Sequence, residues 1–146
     1  MKKILIVAIS LLFIACKKEK PKQYSYWKAG NKEYASNNVK LAAGKAICQF
    51  FILDPTERVF LEFFLPGLPS SGQYRIVKDN PLQQDDRCVL SFTINSKWYQ
   101  VAASEQKYVQ ANISKHGAAI TMPPTWYVNH DNPDDSILIE GIFNEP

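Results

Sequence analysis

Cys88-Val89-Leu90-Ser91-Phe92-Thr93-Ile94-Asn95, then Ser96-Lys97, then Trp98-Tyr99-Gln100-Val101: this stretch decides the fold class. In its first half Cys88, Leu90, Phe92 and Ile94 share one parity, which is the period of a strand with one face against an apolar core. Ser96-Lys97 breaks the run, and a second segment of β-branched and aromatic residues follows at once. Working outward, short runs of the same composition cover 24–28, 32–36, 46–53, 59–65, 73–77, 108–115, 118–122 and 137–143. Turn residues separate them: Ala29-Gly30-Asn31 has a hairpin composition, and Pro55 suits the second position of a turn. No window carries a long run at helical spacing, and residues 38–45 read as a helical turn or a loop. Short strands at such regular spacing predict an all-β antiparallel sandwich or flattened barrel of roughly eight to ten strands. One run, Val59-Phe60-Leu61-Glu62-Phe63-Phe64-Leu65, is apolar on both parities except at Glu62. Such a strand is covered on both faces or lies at an interface.

The N-terminus reads differently. Lys2 and Lys3 precede an apolar segment, residues 4–15, interrupted by Ser10. It is too short to span a bilayer and has the make-up of a signal h-region. Leu12-Phe13-Ile14-Ala15-Cys16 resembles a bacterial lipobox, which implies cleavage before Cys16 and lipidation of its thiol. On that reading residues 1–15 are a lipoprotein signal peptide, residues 16–22 a lipidated cysteine and basic tether of at most ~25 Å, and residues 23–146 one domain. Lys17 after the cysteine favours the outer membrane, on its periplasmic or surface leaflet. A membrane partner through the N-terminal lipid is therefore expected.

Charge excludes another partner class. The chain has 17 basic and 14 acidic side chains. Lys2 and Lys3 fall in the signal, and Lys17, Lys18, Lys20 and Lys22 with Glu19 in the tether, which leaves 11 basic and 13 acidic residues, a net of −2. A domain so balanced has no surplus to neutralise a phosphate backbone, so nucleic acid is not expected as a partner.

With Cys16 taken by lipid, Cys48 and Cys88 remain. An even number in an oxidising compartment, on strand parities that both face an apolar interior, predicts one disulfide. It would add about 4 kcal/mol on the chain-entropy model.

Candidate chemistry is sparse. There is no nucleophile elbow, metalloprotease helix, phosphate-binding glycine loop or Cys-x-x-Cys. His116 and His130 fall in loops with no nucleophile beside them in sequence. Asn129-His130-Asp131-Asn132-Pro133-Asp134-Asp135 is rich in oxygen ligands but lacks the spacing of a calcium loop, and no metal or other cofactor is expected. Asp135-Ser136-Ile137 resembles an exported-protein O-glycosylation acceptor at Ser136. Aromatic residues are the one surplus. Trp27, Trp98 and Trp126 each adjoin a tyrosine, Tyr26, Tyr99 and Tyr127, and neighbours on a strand face opposite sides. One of each pair is therefore expected in the core and the other exposed, with Trp126, Tyr127, Trp98 and Tyr99 the candidate ligand contacts.

Four segments are similar to those of small Bacteroidetes-type lipoproteins: the lysine-rich tether, Trp27-Lys28-Ala29-Gly30-Asn31-Lys32-Glu33-Tyr34, Gly72-Gln73-Tyr74-Arg75-Ile76 and Ile139-Glu140-Gly141-Ile142-Phe143. The resemblance implies a lipid-anchored protein with a single all-β domain and assigns no catalytic residue. The expected function is a non-catalytic cell-envelope module that binds a glycan or an envelope protein. The alternatives are an inhibitor of an exogenous lysozyme or protease, using the Pro66–Gly72 loop, and an enzyme of unrecognised type.

Overall fold

The computed structural model describes residues 25–43, 48–53, 56–80, 82–115 and 117–145. The signal, Cys16, the tether and His116 lie outside the described residues. Eleven strands follow one another: β1 Ser25–Ala29, β2 Lys32–Ser36, β3 Val39–Ala43, β4 Cys48–Leu53, β5 Glu57–Phe63, β6 Gly72–Val77, β7 Arg87–Ile94, β8 Lys97–Val101, β9 Tyr108–Ser114, β10 Gly117–Asn129 and β11 Ser136–Asn144. The fold is all-β, as the alternation predicts. Residues 39–43, read as a helical turn or loop, instead form β3, because Val39-Lys40-Leu41-Ala42-Ala43 pairs in register with β4.

The strands form one sheet in the order β2-β1-β11-β10-β9-β6-β7-β5-β4-β3. All pairings are antiparallel except β6 with β7. β8 bridges the path by pairing with both β7 and β10. This is possible because those two strands divide an edge: β7 gives Arg87–Val89 to β6 and Ser91–Ile94 to β8, while β10 gives residues 117–121 to β9 and 127–129 to β8. The pairings thus close a circuit of β7, β8, β10, β9 and β6, and the remaining strands extend the sheet from it on both sides. β2 and β3, at opposite ends of the path, are joined by Asn37-Asn38 alone, so the ends of the sheet meet at one corner. The Asn38 amide donates to Ser36 Oγ there (3.1 Å). The β7–β8 hairpin turns through Asn95 and Ser96, both at positive φ (50° and 62°), the twist-matched geometry for a two-residue connection.

Alternation builds the core. Cys88, Leu90, Phe92 and Ile94 are all buried on β7. The Phe92 ring meets Tyr127 edge-on (4.9 Å, 88°) and approaches Phe143 (6.1 Å), which joins β7 to β10 and β11 across the interior. β5 is central between β4 and β7, with Val59, Leu61 and Phe63 buried, and on its other face Glu62 accepts a hydrogen bond from Gln49 Nε2 (2.9 Å).

The expected disulfide does not form. Cys88 is a free, buried thiol. Parity places Cys88 on the buried face of β7, but register sets Cys48 and Cys88 on either side of Phe63, with β5 between them. Two strand spacings hold their Cα atoms roughly 10 Å apart, beyond the ~7 Å limit for a bridge. Burial pushes the Cys88 thiol far above its ordinary pKa. The native protein should therefore resist thiol reagents at Cys88, while the unfolded, unreduced protein labels there in full. Failure to label after unfolding would show that the thiol is bridged.

Candidate functional site

Each aromatic pair alternates as strand geometry requires. Trp27, Tyr99 and Tyr127 are buried, whereas Tyr26, Trp98 and Trp126 are 55%, 42% and 47% exposed. Tyr99 and Tyr127 therefore cannot offer a ring to a ligand. Tyr127 packs on Phe92, and its hydroxyl donates to Met122 Sδ (3.3 Å). Which member of the last pair faces outward is decided by a β-bulge. On β10 Met122 pairs with Gly141 and Thr125 with Ile139, so Pro123 and Pro124 together oppose the single residue Glu140. The extra residue switches parity: Ala118, Ile120 and Met122 point inward before it, Thr125 and Tyr127 after it. Proline lacks the N–H that a regular ladder would use, and the bulge accommodates two in succession. The Thr125 hydroxyl, fully buried, donates to Pro123 O (2.8 Å).

The bulge borders a trough on the outer face of β2, β1, β11 and β10, with a volume of about 520 Å³. Register gives its two walls. Tyr26 stands opposite Ile142, and Ile142 opposite Thr121, which makes an apolar row across three strands. Two residues along, Glu33, Lys28 and Glu140 are direct cross-strand partners, and this charged row ends at Pro124. The rows lie about 7 Å apart and the trough runs roughly 14 Å across the strands. Ion pairs among the described residues lie elsewhere, at Lys32–Glu57, Asp86–Arg87 and Lys97–Asp135. The carboxylates of Glu33 and Glu140 and the Lys28 ammonium thus remain available to an incoming ligand.

Gly141 forms part of the trough floor. A Cβ there would lie 2.8 Å from Trp27 Cβ and 2.8 Å from the Tyr26 carbonyl oxygen, so only glycine lets β1 approach this closely.

The sequence-predicted tryptophans flank this trough or lie away from it. Trp126 stands opposite Leu138, beyond the charged row on the same face, and both are exposed. Trp98 lies further along that face, in a second hollow of about 470 Å³ with Arg58, Phe60, Ser91 and Thr93. Its ring rests on His130 (4.6 Å), whose Nδ1 is 3.3 Å from Gln100 Oε1. Sequence reasoning missed Ile142, Lys28, Glu33 and Glu140. A signal for the first exists: residues 137–143 are apolar on both parities apart from Glu140 and Gly141, the same pattern that singled out residues 59–65.

The oxygen-rich 129–135 loop is held by its own atoms. Asp135 accepts from Lys97 Nζ (2.8 Å), Asn129 Nδ2 (3.1 Å) and the Tyr99 hydroxyl (3.2 Å). Asn129 Oδ1 accepts the Asp131 amide and Asn132 Oδ1 the Asp134 amide. An ammonium already neutralises Asp135, where a calcium ion would need its charge. Added calcium or a chelator should leave the melting temperature unchanged; a shift of several degrees abolished by Asp134→Asn would show otherwise. The Lys97 ammonium, followed by the Asn129 amide, holds the Asp135 carboxyl below its ordinary pKa. The network's stabilisation is therefore complete above the unfolded carboxyl value of about 4 and is lost as pH falls through the lower folded one. Acid unfolding of Asp135→Asn should lack this component, and an unchanged acid limb would show that the network adds nothing. Ser136, just beyond, is exposed at the start of β11.

No family model, curated protein or solved structure matches this chain.

Proposed function

We propose that this protein is a non-catalytic, lipid-anchored envelope module that binds a glycan in the trough between β2 and β10. The single observation that carries the reading is the pairing of an apolar wall, Tyr26 and Ile142, with a charged wall, Glu33, Lys28 and Glu140, that forms no ion pair among the described residues. A sugar ring presents an apolar face and a rim of hydroxyls. Tyr26 would take the face, while the carboxylates accept hydroxyl protons and Lys28 donates. Trp126 and Leu138 extend the surface on the far side of the charged row. Catalysis has little support: the contacts of His130 are Trp98 and Gln100, neither of which is a nucleophile.

Stacking on one or two rings contributes about 0.5–1.5 kcal/mol each, so single-site affinity should be modest and raised by clustering on a membrane. Tyr26→Ala should weaken glycan binding about two- to tenfold while leaving the melting temperature within a few degrees. Isothermal titration with neutral and acidic oligosaccharides checks this. Unchanged affinity in the variant, or no binding by the wild type, would remove the trough from consideration.

One observation favours the inhibitor reading. Leu68 is exposed on the 64–71 connection, which is clamped by Ser71 Oγ on the Ile113 amide (2.9 Å) and by Tyr74 Oη on Ser70 O (3.0 Å). A preorganised loop with an apolar tip suits insertion into an enzyme cleft. An equimolar complex with a lysozyme or protease, lost in Leu68→Asp, would establish it.

A further inference from the structure

The chain contains three arginines, and two of them stand side by side. Arg75 and Arg87 are Cα partners on the parallel strands β6 and β7. Both face outward, because their neighbours Tyr74, Ile76 and Cys88 are buried. Tyr108 is the partner of Arg75 on β9 and is 47% exposed. The outer face therefore carries a row Arg87–Arg75–Tyr108.

This row prolongs the trough. Its apolar wall, Tyr26–Ile142–Thr121, continues in register as Gln110 and Gln73. Two residues along from that line, where the charged wall ends at Pro124, come Tyr108, Arg75 and Arg87. From β10 to β6 is two strand spacings, roughly 10 Å. A chain lying in the trough reaches the arginines by extending across β9.

Two guanidinium groups on adjacent strands repel each other, and a sheet gains nothing from the placement. Arg75 has no ion pair among the described residues. Among the described residues the ion pair of Arg87 is with Asp86, its Oδ1 3.8 Å from Nε and its side chain 73% exposed. Arg87 Nε is buried and without a hydrogen-bond partner. The arrangement is short of an anion. Paired guanidinium forks match the planar oxygens of a carboxylate or the oxygens of a sulfate ester, and the Tyr108 ring offers a surface for the sugar that carries them.

We propose that the glycan bound by this protein is acidic, and that its oxyanion is held between Arg75 and Arg87 beside Tyr108. This rests on the glycan reading of the trough, and the test separates the two. Full-length protein in detergent is titrated with three oligosaccharides of equal length: a neutral glucan, an oligogalacturonate and a sulfated heparin fragment. At low salt at least one acidic probe should bind about tenfold or more tighter than the neutral one, the fold-change expected of one charge-assisted hydrogen bond. That preference should shrink as salt is raised. Arg75→Gln should bring the acidic probe close to the neutral one, and Lys107→Gln, which removes a nearby exposed charge, should not. If Arg75→Gln fails to fold, Arg87→Gln and the salt dependence of the wild type carry the same comparison.

Equal binding of neutral and acidic probes overturns the arginine site and leaves the trough standing. An equal loss in Arg75→Gln and Lys107→Gln overturns it as well, because attraction is then diffuse. If no probe binds, the glycan reading itself falls.

Discussion

Phe92→Ala should cost about 4 kcal/mol and lower the melting temperature by at least about 10 °C. The ring is 1% exposed and meets Tyr127 edge-on, while Phe143 lies 6.1 Å away. Those partners belong to β10 and β11, whereas Phe92 belongs to β7, which gives edges to β5, β6 and β8. Truncation would leave a cavity between β7, β10 and β11, beside the β8 bridge. Rigid sheet on both sides prevents collapse into the space, so the cavity contribution adds to the lost transfer free energy. Trp126→Ala is the control. It removes a larger side chain from an exposed position, and its effect should stay within about 0.5 kcal/mol. Chemical denaturation of both variants decides the matter. A loss below about 1.5 kcal/mol for Phe92→Ala would mean that these strands do not depend on this ring.

Much of this architecture was legible before any coordinates. Residues 32–36 form the strand predicted after the Gly30-Asn31 turn, because a hairpin turn acts over a few residues. Three features were not legible, and each depends on residues far apart in sequence. Parity predicts that Cys48 and Cys88 share an interior, but it does not say how many strands lie between them, and register puts β5 there. Pro123-Pro124 reads as the end of a strand, yet β10 runs through it, because Glu140 on β11 tolerates two opposing residues. The parallel pairing of β6 with β7 leaves no local pattern, since the described residues between these strands form no helix to announce a crossover. The Asn80 side chain closes that crossover by bonding the Gln84 carbonyl and amide.

The site was legible by type and not by place. A surplus of aromatic residues at alternating positions indicated that some rings face solvent. Strand periodicity alone cannot choose between Trp126 and Tyr127, because the bulge lies between them and the inward run 118–122. The trough is built from residues 26–33 and 140–142, more than a hundred positions apart, which become neighbours only through the β1–β11 register. The arginine pair has the same character: Arg75 and Arg87 are separated by a crossover and joined by a parallel ladder.

Gly141→Ala should destabilise the protein by about 1–3 kcal/mol and weaken ligand binding in the trough. Two effects oppose one another here. Alanine reduces the freedom of the unfolded chain, worth about 0.4–1 kcal/mol in favour of folding. Against that, the new Cβ would lie 2.8 Å from Trp27 Cβ, 2.8 Å from the Tyr26 carbonyl oxygen and 3.1 Å from Phe143 Cζ. The first two belong to β1, and one is backbone, so no side-chain rotation relieves them. β1 must shift away from β11, which strains the Tyr26–Ile142 and Lys28–Glu140 registers that set the trough walls. The clash therefore wins over the entropy gain. Gly72→Ala separates the two effects, because a Cβ there meets nothing within 4 Å. That substitution should be neutral or slightly stabilising, and it leaves the trough untouched. Should Gly141→Ala melt with the wild type and bind glycan equally well, β1 and β11 are not in the close contact on which the trough depends.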